Sequence, residues 1–206
     1  MTIQAILFDA DGVVQRQRAE FRSILSDMLG SSQDDIDVFL RDIFKAEYPA
    51  LTGQRNFVED LADVLLKWNC RGTVQDALRA WEQIHVDDDM INMINTLRAS
   101  GTYCGLATNQ QQYRARYMSE TLGYREVFDW QFYSCEIGYM KPNICYFQTI
   151  LKEIAIPPGN VLFIDDHEPN VRAARQVDLN ASVFQPEADA NRHAAMQDLL
   201  AQYGLG

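Results

Sequence analysis

The sequence is poor in the features that mark several protein classes. Lysine is scarce, and 18 Lys plus Arg residues stand against 29 Asp plus Glu, a formal net charge of −11. Binding to nucleic acid or to an anionic membrane needs a basic face, so this balance argues against both partners. The four cysteines, Cys70, Cys104, Cys135 and Cys145, form no CxxC pair. They read as structural thiols of a reduced, intracellular protein. No window approaches the ~18 apolar residues of a membrane span. No basic stretch followed by a long apolar one opens the chain, so no signal peptide is expected and the cytoplasm is the expected location. Internal repeats and low-complexity tracts are missing too.

What is present is ordinary for a globular protein: 206 residues, 47% hydrophobic and 23% charged. That is long enough for one good core, or for a core domain with a small second one. The stretch around which the chain is organised is Ile3 to Val14. Its apolar run Ile6-Leu7-Phe8 ends in Asp9, Asp11 and Gly12, the pattern of a buried strand that stops in a loop. Ligands of open α/β sheets bind beyond the carboxyl ends of strands. Residues two apart on an extended segment point the same way, so both carboxylates would face one site. Two acids that close repel unless a cation or a shared proton intervenes, and a Mg²⁺ ion with oxygen ligands suits the place.

Downstream the periodicity changes twice. From Ala19 to about Asn69 apolar residues recur at helical spacing, in stripes headed by Phe21, Ile36 and Val58. Gly30-Ser31-Ser32 reads as a stop and a new start. Thr73 and Asp76 stand at capping-box spacing before a fourth helix that carries Ala77, Leu78, Trp81 and Ile84. No strand is expected between about 15 and 90. Asp87-Asp88-Asp89 reads as a hinge and a helix start. Beyond it, strands at Tyr103–Ala107, Trp130–Tyr133, Val161–Ile164 and Ala181–Phe184 alternate with helices at about Gln111–Leu122, from Pro142, at Pro169–Val177 and at Asp189–Tyr203. Such alternation implies a parallel sheet. The expected fold is a doubly wound, Rossmann-like α/β core of residues 1–14 and 87–206, with a helical cap, 15–86, inserted after the first strand.

Three strand ends carry polar signatures: Asp9/Asp11, Thr108-Asn109 and Asp165-Asp166. Lys141-Pro142 makes a fourth element. In this order they resemble the four motifs of the haloacid dehalogenase (HAD) superfamily, Asp9-Ala10-Asp11-Gly12-Val13 being similar to its first motif, and the resemblance spans about two-thirds of the chain. It implies that Asp9 is a nucleophile that becomes an aspartyl phosphate. Asp11 would be the general acid and base, with its backbone carbonyl on Mg²⁺. Thr108 and the Asn109 N–H would hold phosphoryl oxygens, and Lys141 would balance nucleophile and phosphate. Asp166 would complete the metal site, with Asp165 as a further ligand or outer partner, and Asn170 would orient the acid pair. The implied activity is Mg²⁺-dependent hydrolysis of a small phosphorylated metabolite, such as a sugar phosphate.

Other readings share these residues. A phosphomutase would return the phosphoryl group to a bound sugar. The dehalogenases that name the superfamily use neither a second acid at the Asp11 position nor a metal. A phospho-accepting signalling module is compact and needs no helical insert, and a non-catalytic relative would act by binding. Of the insert residues, Arg16 and Arg18 leave the first motif and are candidates to reach a substrate, although a solvated linker is the simpler reading. Phe21, Tyr48, Arg55 and Trp81 are further candidates. His85 and His193 are scattered, and His167 is expected to meet solvent or to stand behind the site. Gln110-Gln111-Gln112 reads as the exposed first turn of a helix. Monomer and homodimer are not distinguished.

Overall fold

The structure is a computed structural model that describes residues 2–30, 33–187 and 190–205. In chain order, strand β1 (Ala5–Phe8) and a short β2 (Gln15–Gln17) precede four helices: α1 (Glu20–Leu29), α2 (Gln33–Ala50), α3 (Phe57–Lys67) and α4 (Val74–Leu78). Strand β3 (Ile84–Val86) and helix α5 (Asp88–Ala99) lead to β4 (Tyr103–Thr108), α6 (Gln112–Arg116), a π-helical turn (Tyr117–Thr121) and α7 (Tyr124–Val127). Then come β5 (Trp130–Tyr133), α8 (Ser134–Ile137), α9 (Ile144–Ile154), β6 (Val161–Asp165), α10 (Glu168–Arg175), β7 (Asn180–Val183) and α11 (Arg192–Ala201).

Five strands form one parallel sheet in the order β5-β4-β1-β6-β7. β1 lies at its centre, with Ile6 paired to Cys104 of β4 and to Leu162 of β6. Because side chains alternate along a strand, Ile6 and Phe8 join an apolar layer under α5 and α11. Ala5 and Leu7 join the opposite layer, packed on α9 and α10. A sheet buried on both faces explains why its strands read as unbroken apolar runs. The chain steps from β1 to β4 on one side and to β6 on the other. This is the topological switch point at which open sheets hold ligands. Asp9 follows β1, Thr108 ends β4 and Asp165 ends β6, so three adjacent strand ends carry the polar signatures.

Helices α1–α4 pack around a separate apolar cluster of Leu25, Phe39, Ile43, Phe57, Leu61 and Trp81. The segment leaves and re-enters through an antiparallel ladder that pairs Gln15 with Val86 and Gln17 with Ile84. This corrects the expectation of no strand between 15 and 90. Each strand is three residues long: β2 is wholly polar, and Ile84 of β3 stands at helical spacing from Trp81, so the sequence reads it as the end of the preceding helix although it packs into the core under the sheet. Helix α4 has the expected capping box, in which the Thr73 hydroxyl and the Asp76 carboxylate each accept the other's backbone N–H. It stops at Leu78, however, leaving Trp81 in a turn and Ile84 in β3.

Two further boundaries differ. Pro142 does not open a helix: α9 begins at Ile144, where the Asn143 side chain accepts the Cys145 N–H, so an asparagine cap outcompetes proline for the start. The helix expected over Gln111–Leu122 loosens after Arg116, and the Leu122 N–H reaches back five residues to the Tyr117 carbonyl. The restart expected at Ser31-Ser32 and the helix start expected at Asp189 lie outside the described residues. Gly30 closes α1 in the left-handed conformation, and Asn191 caps α11.

Candidate active site

Asp9 extends the β1 ladder, its N–H bonded to the Ile164 carbonyl at 2.9 Å. Its carboxylate accepts the Ala10 N–H at 2.7 Å and lies 2.8 Å from the Lys141 ammonium. The same ammonium stands 2.6 Å from Asp165. Asp165 is fully buried and also accepts the Asn170 amide at 3.1 and 3.0 Å and the His167 N–H at 2.7 Å. His167 is otherwise exposed at the start of α10. Asp9, Asp165 and the half-buried Asp166 each place a carboxylate oxygen within 4.8 Å of the others. Burial raises the pKa of Asp9; Lys141 opposes the rise and Asp165 adds to it. Asp166 is raised by burial and by Asp165. One ammonium among three carboxylates leaves a surplus of negative charge, and hard oxygen donors this close fit a divalent cation such as Mg²⁺.

Gly12 makes room for this cluster. A Cβ at that position would lie 2.1 Å from Asp166 Oδ2, and the Gly12 backbone has φ +83°, where side chains are disfavoured. Asn109 acts through Lys141. Its amide donates to the Lys141 carbonyl and accepts the Lys141 N–H, both at 2.9 Å, and so fixes the backbone from which the ammonium extends. Thr108 is buried, its hydroxyl accepting the Gln110 amide at 3.1 Å.

The Asp11 carboxylate does not join the acidic cluster. Arg114 of α6 grips it with two bonds of 2.5 and 2.9 Å, while the amides of Gln15 and Gln110 donate at 3.0 and 2.9 Å. Burial alone would raise its pKa, but the guanidinium and the two amides outweigh that and lower it to about 2. Arg114 also donates to the Trp81 carbonyl, to Gln17 and to Gln110. It therefore ties the loop after β1 to both ends of the helical insert.

Sequence reasoning missed this web. Gln110 and Gln111 are buried rather than exposed, because Gln110 serves Asp11 and Arg114 while Gln111 caps α6 with its side-chain oxygen. A signal was present: Arg114 stands four residues before the buried Met118, on what should be an apolar stripe. Arg16 and Arg18 are exposed. Asp87 caps α5 and pairs with Arg192, and is not a member of the acidic cluster.

The profile of the haloacid dehalogenase-like hydrolases matches residues 3–178. A predicted HAD-like family hydrolase from Porphyromonas gingivalis superposes with a TM-score of 0.77 at 22% identity, over 97% of this chain and 98% of its own. A HAD family enzyme from Bacteroides thetaiotaomicron, in complex with magnesium and inorganic phosphate, gives 0.75 at 18% identity, over 92% and 96%. Drimenol cyclase drtB from Aspergillus calidoustus is 33% identical over 66 residues, which are 32% of this chain and 12% of that protein.

Proposed function

Because this chain belongs to the haloacid dehalogenase-like hydrolase family, we propose that it hydrolyses a small phosphate monoester with Mg²⁺, through an aspartyl phosphate on Asp9. The observation that carries the reading is the cluster of Asp9, Asp165 and Asp166 around Lys141. Asp9, Asp166, Asp165 and the Asp11 backbone carbonyl would hold the metal, which supplies charge neutralisation at the phosphoryl oxygens when bound. In this reading residues 15–86 form a helical cap on a discontinuous core of 1–14 and 87–206. They exclude bulk water from the site. The substrate is a small metabolite met in the cytoplasm; no described helix is long and apolar enough to cross a membrane.

The Asp9 carboxylate attacks phosphorus and the ester P–O bond breaks. Lys141 holds Asp9 in place, itself fixed by Asn109, and Thr108 with the Asn109 N–H receives the phosphoryl oxygens. Asp11 gives a proton to the departing oxygen. It then takes one from the water that cleaves the aspartyl phosphate, releasing inorganic phosphate and restoring Asp9. At rest Asp11 is ionised and held by Arg114, so the first transfer requires that pair to part and the freed carboxylate to take up a proton from solvent, which it returns when the pair re-forms after turnover. An acid at the Asp11 position and a metal-competent trio favour phosphate esters over carbon–halogen bonds.

The test is turnover of an aryl phosphate with and without Mg²⁺, by the native protein and by Asp9→Asn. The expected result is metal-dependent turnover that falls by about 10⁴-fold or more in the variant. Failure of the native protein on both the aryl ester and a panel of natural phosphate esters would overturn the reading.

A further inference from the structure

The family profile ends at residue 178, so α11 stands outside it, yet the first residue of that helix reaches the loop that carries Asp11. One terminal nitrogen of Arg192 donates to the Gly12 carbonyl at 2.7 Å and to the Val13 carbonyl at 3.0 Å. The two hydrogens on that nitrogen suffice for both bonds. Its Nε faces the Asp87 carboxylate at 3.4 Å, and its central carbon lies over the buried Phe184 ring, 5.0 Å from the centroid. The Asp87 N–H in turn donates to the Val14 carbonyl at 3.0 Å. Three successive carbonyls of the loop are therefore taken by donors from α11 and from the cap of α5.

Gly12 is the residue for which such ties matter. Its φ of +83° belongs to the left-handed region, and glycine passes between backbone states more freely than any other residue. A loop that turns on glycine keeps its peptide planes only where something holds them. The Gly12 N–H donates to the Gln15 carbonyl at 2.8 Å, which fixes the plane shared with Asp11. Arg192 fixes the next plane, shared with Val13. The first of these planes carries the Asp11 carbonyl, the backbone oxygen assigned to the metal above.

The same guanidinium also bears on the other half of the acidic site. Phe184, over which it lies, donates its N–H to the Asp165 carbonyl at 2.9 Å. The next residue, Gln185, donates its side-chain amide to the Asp166 carbonyl at 2.6 Å. Asp166 is the acid that packs against Gly12 and leaves no room for a Cβ there. Arg192 thus bridges the loop after β1 and the end of β6, the two segments whose spacing defines the acidic cluster. Its charge does not explain its place, because a cation beside a site for a divalent cation repels the metal. Its bonds do.

We propose that Arg192 is a positioning residue of the metal site. It locks the peptide planes around Gly12 and spaces that loop from the end of β6, so that the Asp11 carbonyl and the carboxylates of Asp9 and Asp166 are presented to one cation. This rests on the Mg²⁺-dependent reading above. Asp87 and Phe184 hold the guanidinium from two sides.

The test reads metal binding directly. The native protein, Arg192→Met and Arg192→Gln are stripped of metal and titrated with Mn²⁺, the free ion being followed by electron paramagnetic resonance. Mg²⁺ is then used to displace the Mn²⁺. Methionine keeps an unbranched apolar stem and removes every donor, while glutamine keeps an amide without the charge. Partners that orient metal ligands from behind commonly carry 10- to 100-fold of metal affinity. Arg192→Met is therefore expected to bind both ions about tenfold or more weakly, and Arg192→Gln at least about threefold more weakly.

The direction of the change discriminates between roles. Loss of a positive charge alone would tighten binding of a divalent cation. Loss of helix packing alone would lower the melting temperature in chelator and leave the metal affinity of the folded protein where it was. Only loosened ligands weaken binding. Affinity unchanged or increased in the folded variants overturns the proposal, and if Arg192→Met does not fold, Arg192→Gln decides by the same criterion. A native protein that binds neither ion overturns the Mg²⁺ reading and this proposal with it, whereas native binding that the variants retain overturns this proposal alone.

Discussion

Asp9 and Asp11 stand two residues apart in one loop and have opposite electrostatic fates. Asp9 is buried with two other carboxylates around a single ammonium, and its pKa rises. Asp11 is two-fifths exposed, is held by a guanidinium and two amides of its own, and falls to about 2. The residue type is the same, so the partners decide. Around Asp9 one cation is shared among several acids, which leaves a deficit for a metal to fill. Around Asp11 several donors converge on one acid, which leaves a surplus of stabilisation.

The comparison can be broken most violently at Lys141. Lys141→Met removes the one cation between Asp9 and Asp165, and breaking a buried pair from one side costs about 3–5 kcal/mol. Chemical denaturation should show that loss without Mg²⁺, and a larger stabilisation by Mg²⁺ than in the native protein. Equal Mg²⁺ effects in both proteins would mean that the ammonium does not compensate the acid cluster.

Arg114→Met attacks the other side. Because Asp11 keeps two amide donors and partial exposure, the expected loss is smaller, about 1–3 kcal/mol at neutral pH. The sign is set by a folded-state pKa depressed from 3.8 to about 2. The pair's contribution is present above pH ~4 and disappears as pH falls towards 2, so the variant's stability should decline less steeply over that window than the native protein's. Parallel acid limbs would show that Arg114 does not hold Asp11 ionised.

The smallest effect concerns Glu47, whose carboxyl burial raises to about 7 from 4.5, with Trp81, Arg114 and Gln111 opposing the rise and Asp11 adding to it. An acid with a raised pKa binds more protons in the folded state than in the unfolded state, so stability declines as pH climbs from about 4.5 to 7. Glu47→Gln should therefore match the native protein near pH 4 and exceed it by on the order of 2 kcal/mol at pH 8. A thermal-melt difference that does not change with pH would refute the assignment.

The same contrast marks what could be read from the chain. The acidic cluster was legible because its members end apolar runs, and hydrophobicity alone locates the strands that bring Asp9 and Asp165 side by side. The sheet was legible for the same reason. The web around Asp11 was not. Whether Gln110 is buried depends on a carboxylate 99 residues away, and Arg114 shows only as a charge on an otherwise apolar stripe. The β2–β3 ladder escaped because each strand is only three residues long, β2 is polar, and Ile84 of β3 continues the helical spacing of the residues before it. Local rules also misplaced the start of α9, where Asn143 competed with Pro142 over a single turn.

That ladder has an architectural consequence. Because Gln15 and Val86 are paired neighbours, everything between them is a loop closed at its base. The entropy of closing a loop grows only slowly with its length. Lengthening, trimming or exchanging this segment therefore need not pull on the five-stranded sheet, provided the two short strands still meet and the bonds from α6 to Gln17, Trp81 and Glu82 are kept. The clasp makes the segment a replaceable cassette, in which new recognition surfaces can be tried over an unchanged set of strand-end acids.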